Sequence, residues 1–518
     1  MNELASMEKE TSFKDFLFKD RRNRTILWSS AIAMVIQFAF FKYIYPNASF
    51  IHGDSFSYLY AADQNLDINF YPIGYSKFLR LFSVFNRTDY VFTAFQYLIL
   101  QLSSLYFLFT IYFFYKPGRI VQYILLGFMV LNPLFLHLGN LVSSDCLFAG
   151  LSLIWLALLL WIIQKPSPKI LFWHAIVLFL AFIIRYNALI YPFISLVAFA
   201  VSRMPLRRKF IGLGAAAVLC GSFVGFTMWK YKQLTDYWQY SPFSGWQFAN
   251  NAMYAYRYVD SVDRKPVPEK FKLLDNMVRQ FYDSTRDLKK FPFEKAEAST
   301  FYMWSRKMPL MAYRDVVVKT KDNSEDSEFK KWATVAPLYK EYGLYIISQY
   351  PSYFIIHFAG PNIRKYFSPP VEFLESYNSG KNYVLPLAVK WFGYKDNILR
   401  IRSDSPMVWV LNFYTIFTGI INFIMLFGIL YYCLLKGWKS DLVFKNMLLI
   451  AGILWFLNAG FTIFAASAAL RFQSFPIFIT TTFAFLLIDW MIQLMRKLKN
   501  DNNHLQKMEF KEPTEILA

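Results

Sequence analysis

The sequence predicts an all-α polytopic membrane protein, with about ten transmembrane helices and a large extracytoplasmic helical loop. Three observations lead there. The chain is 56% hydrophobic and 20% aromatic, with 56 Phe, whereas soluble domains stay near half apolar. Its apolar residues fall in blocks, most of which reach the roughly 20 residues a helix needs to cross a hydrocarbon core. Lys and Arg punctuate the block ends, giving a formal charge of +20 in the pattern that orients membrane spans. That placement argues against nucleic acid as a partner. The bilayer and its anionic headgroups already account for the basic residues.

The blocks lie near 25–45, 90–115, 120–137, 142–163, 170–184, 187–202, 210–228, 406–435, 446–465 and 471–493. Basic clusters mark every second connection. Lys19, Arg21, Arg22 and Arg24 precede the first block; Lys116 and Arg119 follow the second, and Lys165 and Lys169 the fourth. Arg203, Arg207, Arg208 and Lys209 follow the sixth, Lys436 and Lys439 the eighth, and Arg496, Lys497 and Lys499 the tenth. Both ends therefore read as cytoplasmic. The chain divides into a tail 1–24, a seven-helix module 25–228 with a first external loop 46–89, an external stretch 229–405, a three-helix segment 406–493 and a tail 494–518.

Within the external stretch, Leu344 to Phe367 is apolar but interrupted by Gln349, Pro351, His357 and Pro361. It reads as a helix lying on the membrane surface. The pair 170–184 and 187–202 has basic flanks on both sides, so the chain enters and returns on two short arms. Each arm, roughly 22 Å of helix, falls short of a full crossing. Their junction, Arg185-Tyr186-Asn187, should sit below the outer surface. Cys146, Cys220 and Cys433 lie in or beside apolar blocks and form neither a disulfide framework nor a metal-ligand spacing.

An ionisable group at membrane depth is a functional-site hypothesis by default. Asp145, Arg185 and Arg471 occur at turns that the topology puts on the outer side, together with the loop that holds Asp54. Local explanations stand beside this one. Asp145 follows Ser143-Ser144 at a helix start, where a carboxylate suits the helix dipole. Arg471 could snorkel to the interface. His52 and His137 read first as local hydrogen-bonding residues.

The first external loop contains His52-Gly53-Asp54-Ser55-Phe56-Ser57-Tyr58, then Tyr71-Pro72-Ile73-Gly74-Tyr75. An Asp just after the first helix, an aromatic residue four positions on, and a Tyr-Pro-x-Gly-Tyr segment resemble the GT-C superfamily of glycosyltransferases. The likeness is to its protein O-mannosyltransferase-like and aminoarabinose-transferase-like branches. Ser143-Ser144-Asp145 with Leu147-Phe148 resembles the small-small-acidic motif at the fourth helix. Arg185-Tyr186-Asn187 with Pro192 resembles an Arg-Tyr/Pro motif, and Arg471-Phe472 with Pro476 a C-terminal Arg-aromatic motif.

The resemblance implies a GT-C type helical bundle and a polyprenyl-phosphate sugar donor. It implies inverting transfer to a glycan, lipid or protein acceptor on the extracytoplasmic face of a cell membrane, a bacterial inner membrane in the first instance. Asp54 would be the catalytic base, with Asp145 near it around a divalent cation or the acceptor. Arg185 and Arg471 would hold the donor phosphate, and His52, Tyr58, Tyr71, Tyr75 and Asn187 would contact substrate. Two departures stand out: Ser55 follows Asp54 where many relatives have Glu, and the MIR-type domain of eukaryotic relatives is missing.

The chemistry is coherent without the family. An inverting displacement needs one carboxylate to take the acceptor's proton and cations where charge grows on the departing phosphate. Arg supplies a planar fork for phosphate oxygens. No Gly-rich phosphate loop is present for a nucleotide sugar. A polysaccharide polymerase or O-antigen ligase would also pair many helices with a large external loop, yet needs no Asp soon after the first helix. A transporter would be expected to show internal repeats, and none is visible.

Overall fold

The computed structural model describes residues 11–287, 289–291, 299–320, 322, 324–465 and 468–509. Among them, helices dominate and only isolated β-bridges occur. Among the described residues, eight helical segments are long and apolar enough to cross a membrane, and two shorter apolar ones, Pro168–Ile184 and Tyr186–Val201, accompany them.

Helix α1 (Arg21–Ile44) starts where Asp20 accepts the Asn23 N–H at 2.9 Å. It presents Trp28, Ile32, Val35, Ile36 and Phe40 outward, an apolar face suited to lipid tails. The first external loop then forms α2 (Asp54–Asp63) and α3 (Gly74–Phe85) before α4 (Asp89–Phe114). The third block is broken into α5 (Arg119–Val130) and α6 (Pro133–Asn140). Pro133 has no N–H to continue the ladder, and Asn132 caps the new start by accepting the Leu134 N–H at 3.0 Å. The Val130 carbonyl at the break accepts from Gln37 and Gln101, so this freed backbone acceptor is met by side chains in an apolar medium.

Helix α7 (Ser144–Gln164) is the most enclosed span, with 94% of its apolar window buried. Its first turn, carrying Asp145, thus lies at the heart of the bundle. Helices α8 (Pro168–Ile184) and α9 (Tyr191–Val201) are joined by extended Arg185 and a 3-10 turn, Tyr186–Ile190. At 17 residues, α8 is about 25 Å long, so its end stays below a full crossing. Helix α10 (Leu206–Thr235) is longer than its apolar block and leads into the stretch 229–405.

The stretch 229–405 contains two packing units. Its first part builds its own aromatic core from residues such as Trp246, Tyr256, Leu274, Tyr302, Trp332 and Tyr339. Here α11 (Pro242–Tyr256) and α12 (Glu325–Gln349) touch backbone to backbone. A Cβ at Gly245 would sit 2.0 Å from the Ala336 carbonyl oxygen. The second part, with Leu374, Tyr377, Val384, Phe392 and Leu399, belongs to the core of the membrane module. It covers the first external loop: Tyr377 donates to the Asn47 carbonyl at 2.8 Å, and Lys390 pairs with Asp63 at 3.0 Å.

The run from Leu344 to Phe367 is one interrupted helical path: the end of α12, a turn at Pro351–Phe354, a π-helical turn at Ile355–Ala359, and α13 (Gly360–Phe367). It buries Phe354, Phe358 and Tyr366 and exposes Ile355, Ile356 and Ile363. Three last spans follow: α14 (Phe413–Leu434), α15 (Leu442–Ala465) and α16 (Ser474–Glu509).

Candidate functional site

Asp54 is the first residue of α2, and its side chain is 20% exposed on the wall of a cavity of about 1690 Å³. Tyr71 donates its hydroxyl to Asp54 Oδ1 at 2.7 Å. Burial, and then the adjacent Asp54 carboxylate, push the Tyr71 phenol well up, so it stays a proton donor. The second Asp54 oxygen, Oδ2, pairs with Arg471 Nη2 at 2.5 Å.

Asp145 lies deeper, 1% exposed at its side chain. Ser143 Oγ donates to its Oδ2 at 2.5 Å, Arg185 pairs with its Oδ1, and Arg471 Nη1 lies 3.4 Å from Oδ2. Four charged side chains from α2, α7, the α8–α9 junction and the turn before α16 therefore form one ion-paired cluster. A buried ion pair holds only where geometry and further hydrogen bonds offset desolvation. Here each carboxylate has a hydroxyl donor as well as a guanidinium.

Aromatic rings fix the arginines. Arg471 stacks over Phe373 and Phe472, at 4.6 and 4.3 Å from the ring centroids. Arg185 lies 5.1 Å from Phe472 and 5.7 Å from Phe148. Such contacts suit a guanidinium taken out of water. Arg471 Nε is buried and has no hydrogen-bond partner among the described residues. Nothing matches. No family model, curated protein or solved structure corresponds to this chain, and its chemistry is read from these side chains alone.

The other expected contact residues separate into two groups. His52, Tyr58, Tyr71 and Asn187 line the cavity. Tyr58 also shares a hydrogen bond with Ser144 at 3.0 Å. Burial and then the charge of Lys381 lower the His52 pKa, so its ring favours the neutral form. Tyr75 is different. It is fully buried and does not line the cavity, and its hydroxyl donates to Gln96 at 2.9 Å. Gln96 in turn donates to the Gly139 and Leu141 carbonyls. The start of α3 turns Tyr75 inward, so it packs against Gln96 and does not face the cavity.

The resemblance also implies a divalent cation or the acceptor between Asp54 and Asp145. The positive group between Asp54 and Asp145 is the Arg471 guanidinium. Among the described residues, no group of three or more His, Cys, Asp or Glu side chains could hold a metal. Two carboxylates already engaged by arginines and hydroxyls are a poor donor set for an ion that wants six or more oxygens.

Several wall residues carried no sequence signal. Phe373 shows no motif, while Phe472 was legible as the aromatic after Arg471. From the external unit, Phe243, Trp304, Arg306, Asp326 and Lys340 face the same cavity. They belong to no motif read in the sequence, and the packing of α11, α12 and the short helix Phe301–Trp304 in one aromatic core brings them to the cavity.

Proposed function

We propose that the chain is a membrane glycosyltransferase of GT-C type, moving a sugar from a polyprenyl-phosphate donor to an acceptor on the extracytoplasmic face. The observation that carries this reading is the pairing of a partly exposed carboxylate with a buried, aromatic-clamped arginine at the wall of a large cavity. Asp54 and Arg471 make that pair, and Asp145 and Arg185 back it.

In the reaction, the acceptor hydroxyl attacks the anomeric carbon as the bond to the phosphate oxygen breaks. The proton passes to Asp54, and the electron pair leaves with the polyprenyl phosphate. Arg471 and Arg185 meet the charge on that phosphate, in a site where low dielectric strengthens the interaction. Arg471 is shared with two carboxylates beforehand, so phosphate binding exchanges partners on its fork. As Arg471 turns to the phosphate, Asp54 keeps the Tyr71 hydrogen bond and gains a free oxygen for the proton. Asp145 stays ion-paired with Arg185 and positions both arginines.

The test is turnover by purified protein in nanodiscs, offered a panel of polyprenyl-phosphate sugars and candidate acceptors, with release of polyprenyl phosphate as the readout. Activity that depends on Asp54 supports the reading. Silence across the panel, from protein that still binds polyprenyl phosphate, counts against it.

A further inference from the structure

Three tryptophans of the external unit form a column. The Trp246 and Trp332 rings are 5.6 Å apart and tilted by 7°, and Trp332 and Trp304 are 6.3 Å apart and again tilted by 7°. Trp246 and Trp332 are buried, and Trp246 Nε1 donates to the Trp332 carbonyl at 2.8 Å. Trp304 ends the column. It keeps 40% exposure and lines the cavity. Its indole runs nearly parallel to Trp332 and is flanked by Phe70 and Phe243, so neighbouring rings fix its orientation while part of it stays open to the cavity.

This surface connects to the charged cluster. The Phe243 ring lies 6.2 Å from Trp304 and 5.9 Å from Tyr71, which donates to Asp54. Rings of Phe70, Phe243 and Trp332 pack on Trp304, and charged groups share the same cavity: Arg306, two residues on in sequence, and Asp326, which accepts from the Tyr60 hydroxyl at 3.1 Å. An alkyl chain laid here would bury those groups without replacing their hydrogen bonds, which is unfavourable. A pyranose ring offers an apolar C–H face to an indole and hydroxyls to charged neighbours at its edge. Apolar surface with a few convergent polar groups is what orients such a ligand.

We propose that Trp304 is the platform of a carbohydrate subsite, where one ring of a glycan acceptor stacks on the cavity wall with its edge toward Arg306 and Asp326. The inference rests on the transfer reading only in calling that sugar the acceptor; the subsite itself follows from the external unit.

The experiment measures sugar binding alone, without donor. Full-length protein in nanodiscs is titrated with methyl glycosides and linear oligosaccharides of mannose, galactose and N-acetylglucosamine, followed by saturation-transfer NMR and tryptophan fluorescence. The expected result is binding of at least one sugar through its C–H face, weakened about tenfold in Trp304→Ala and largely kept in Trp304→Tyr. Trp304→Tyr keeps a ring against Phe243 and Trp332 and should melt like the parent protein, and Trp304→Ala, which loses those contacts, is compared at a temperature where its melting curve shows it folded. Absence of sugar binding, equal binding by Trp304→Ala, or an effect of that variant on an octyl-chain probe alone would each overturn the proposal. Sugar binding that depends on Trp304, in protein with no transfer from any donor, would uphold the subsite and count only against the transfer reading.

Discussion

Replacing Asp54 by Asn should move turnover and donor affinity in opposite directions. Arg471 reaches Asp54 at 2.5 Å and Asp145 at 3.4 Å, so a donor phosphate competes with two carboxylates for one guanidinium. Unit charges 4 Å apart attract by about 4 kcal/mol at the effective dielectric of a protein surface. The 20% exposure of the Asp54 side chain reduces this toward the ~1.5–3 kcal/mol of a hydrogen bond to a charged group. At about 1.4 kcal/mol per decade, Asp54→Asn tightens phosphate binding by about ten- to hundredfold. Arg471 keeps its place, because Phe373, Phe472 and Asp145 still hold it. Turnover falls by about 10²–10⁴, since the amide cannot accept the acceptor's proton. Equilibrium binding of sugar-free polyprenyl phosphate and single-turnover release from the sugar donor separate the two effects. Binding that is unchanged or weaker in Asp54→Asn would refute the competition, and near-normal turnover would remove Asp54 from proton transfer.

Arg471→Ala should cost about 3–5 kcal/mol in thermal unfolding in micelles, because it leaves buried carboxylate charge short of a partner. Arg471→Lys should recover much of that stability but not the donor affinity, since an ammonium lacks the fork. Tyr75→Phe should lower stability by about 1 kcal/mol through the lost Gln96 hydrogen bond and leave turnover unchanged; a large loss of rate with normal stability would return Tyr75 to the site. Topology is tested by single cysteines at Lys307 and Lys439, both exposed, in a background without Cys146, Cys220 and Cys433. The two should label from opposite sides of the membrane, and labelling from one side would break the orientation.

Much of the site was legible because depth in a membrane makes charge conspicuous. Asp145, Arg185 and Arg471 stand out against apolar blocks, and alternation of basic connections puts their turns on one side. The first loop was harder to read. His52, Tyr58, Tyr71 and Tyr75 sit in one motif-rich stretch, and nothing in its composition separates the cavity-facing Tyr71 from the inward Tyr75. That choice depends on where α3 begins and on Gln96, a residue of another helix. The sequence reads 120–137 as one block, whereas the chain breaks at Asn132-Pro133, and that break depends on Gln37 and Gln101 meeting the exposed carbonyl.

By itself the sequence determined the helical membrane class, the approximate spans, and which buried charges needed partners. Those follow from local quantities: hydropathy over a window, charge at its ends and the cost of ionised groups away from water. Tertiary structure alone decided the pairing. It put Arg471 between Asp54 and Asp145, assigned residues 371–408 to the membrane module, and swung the Trp246–Trp332–Trp304 column over the cavity. Each of these joins residues far apart in the chain. The free energy of such a contact depends on packing and distance between elements, and no local pattern encodes it.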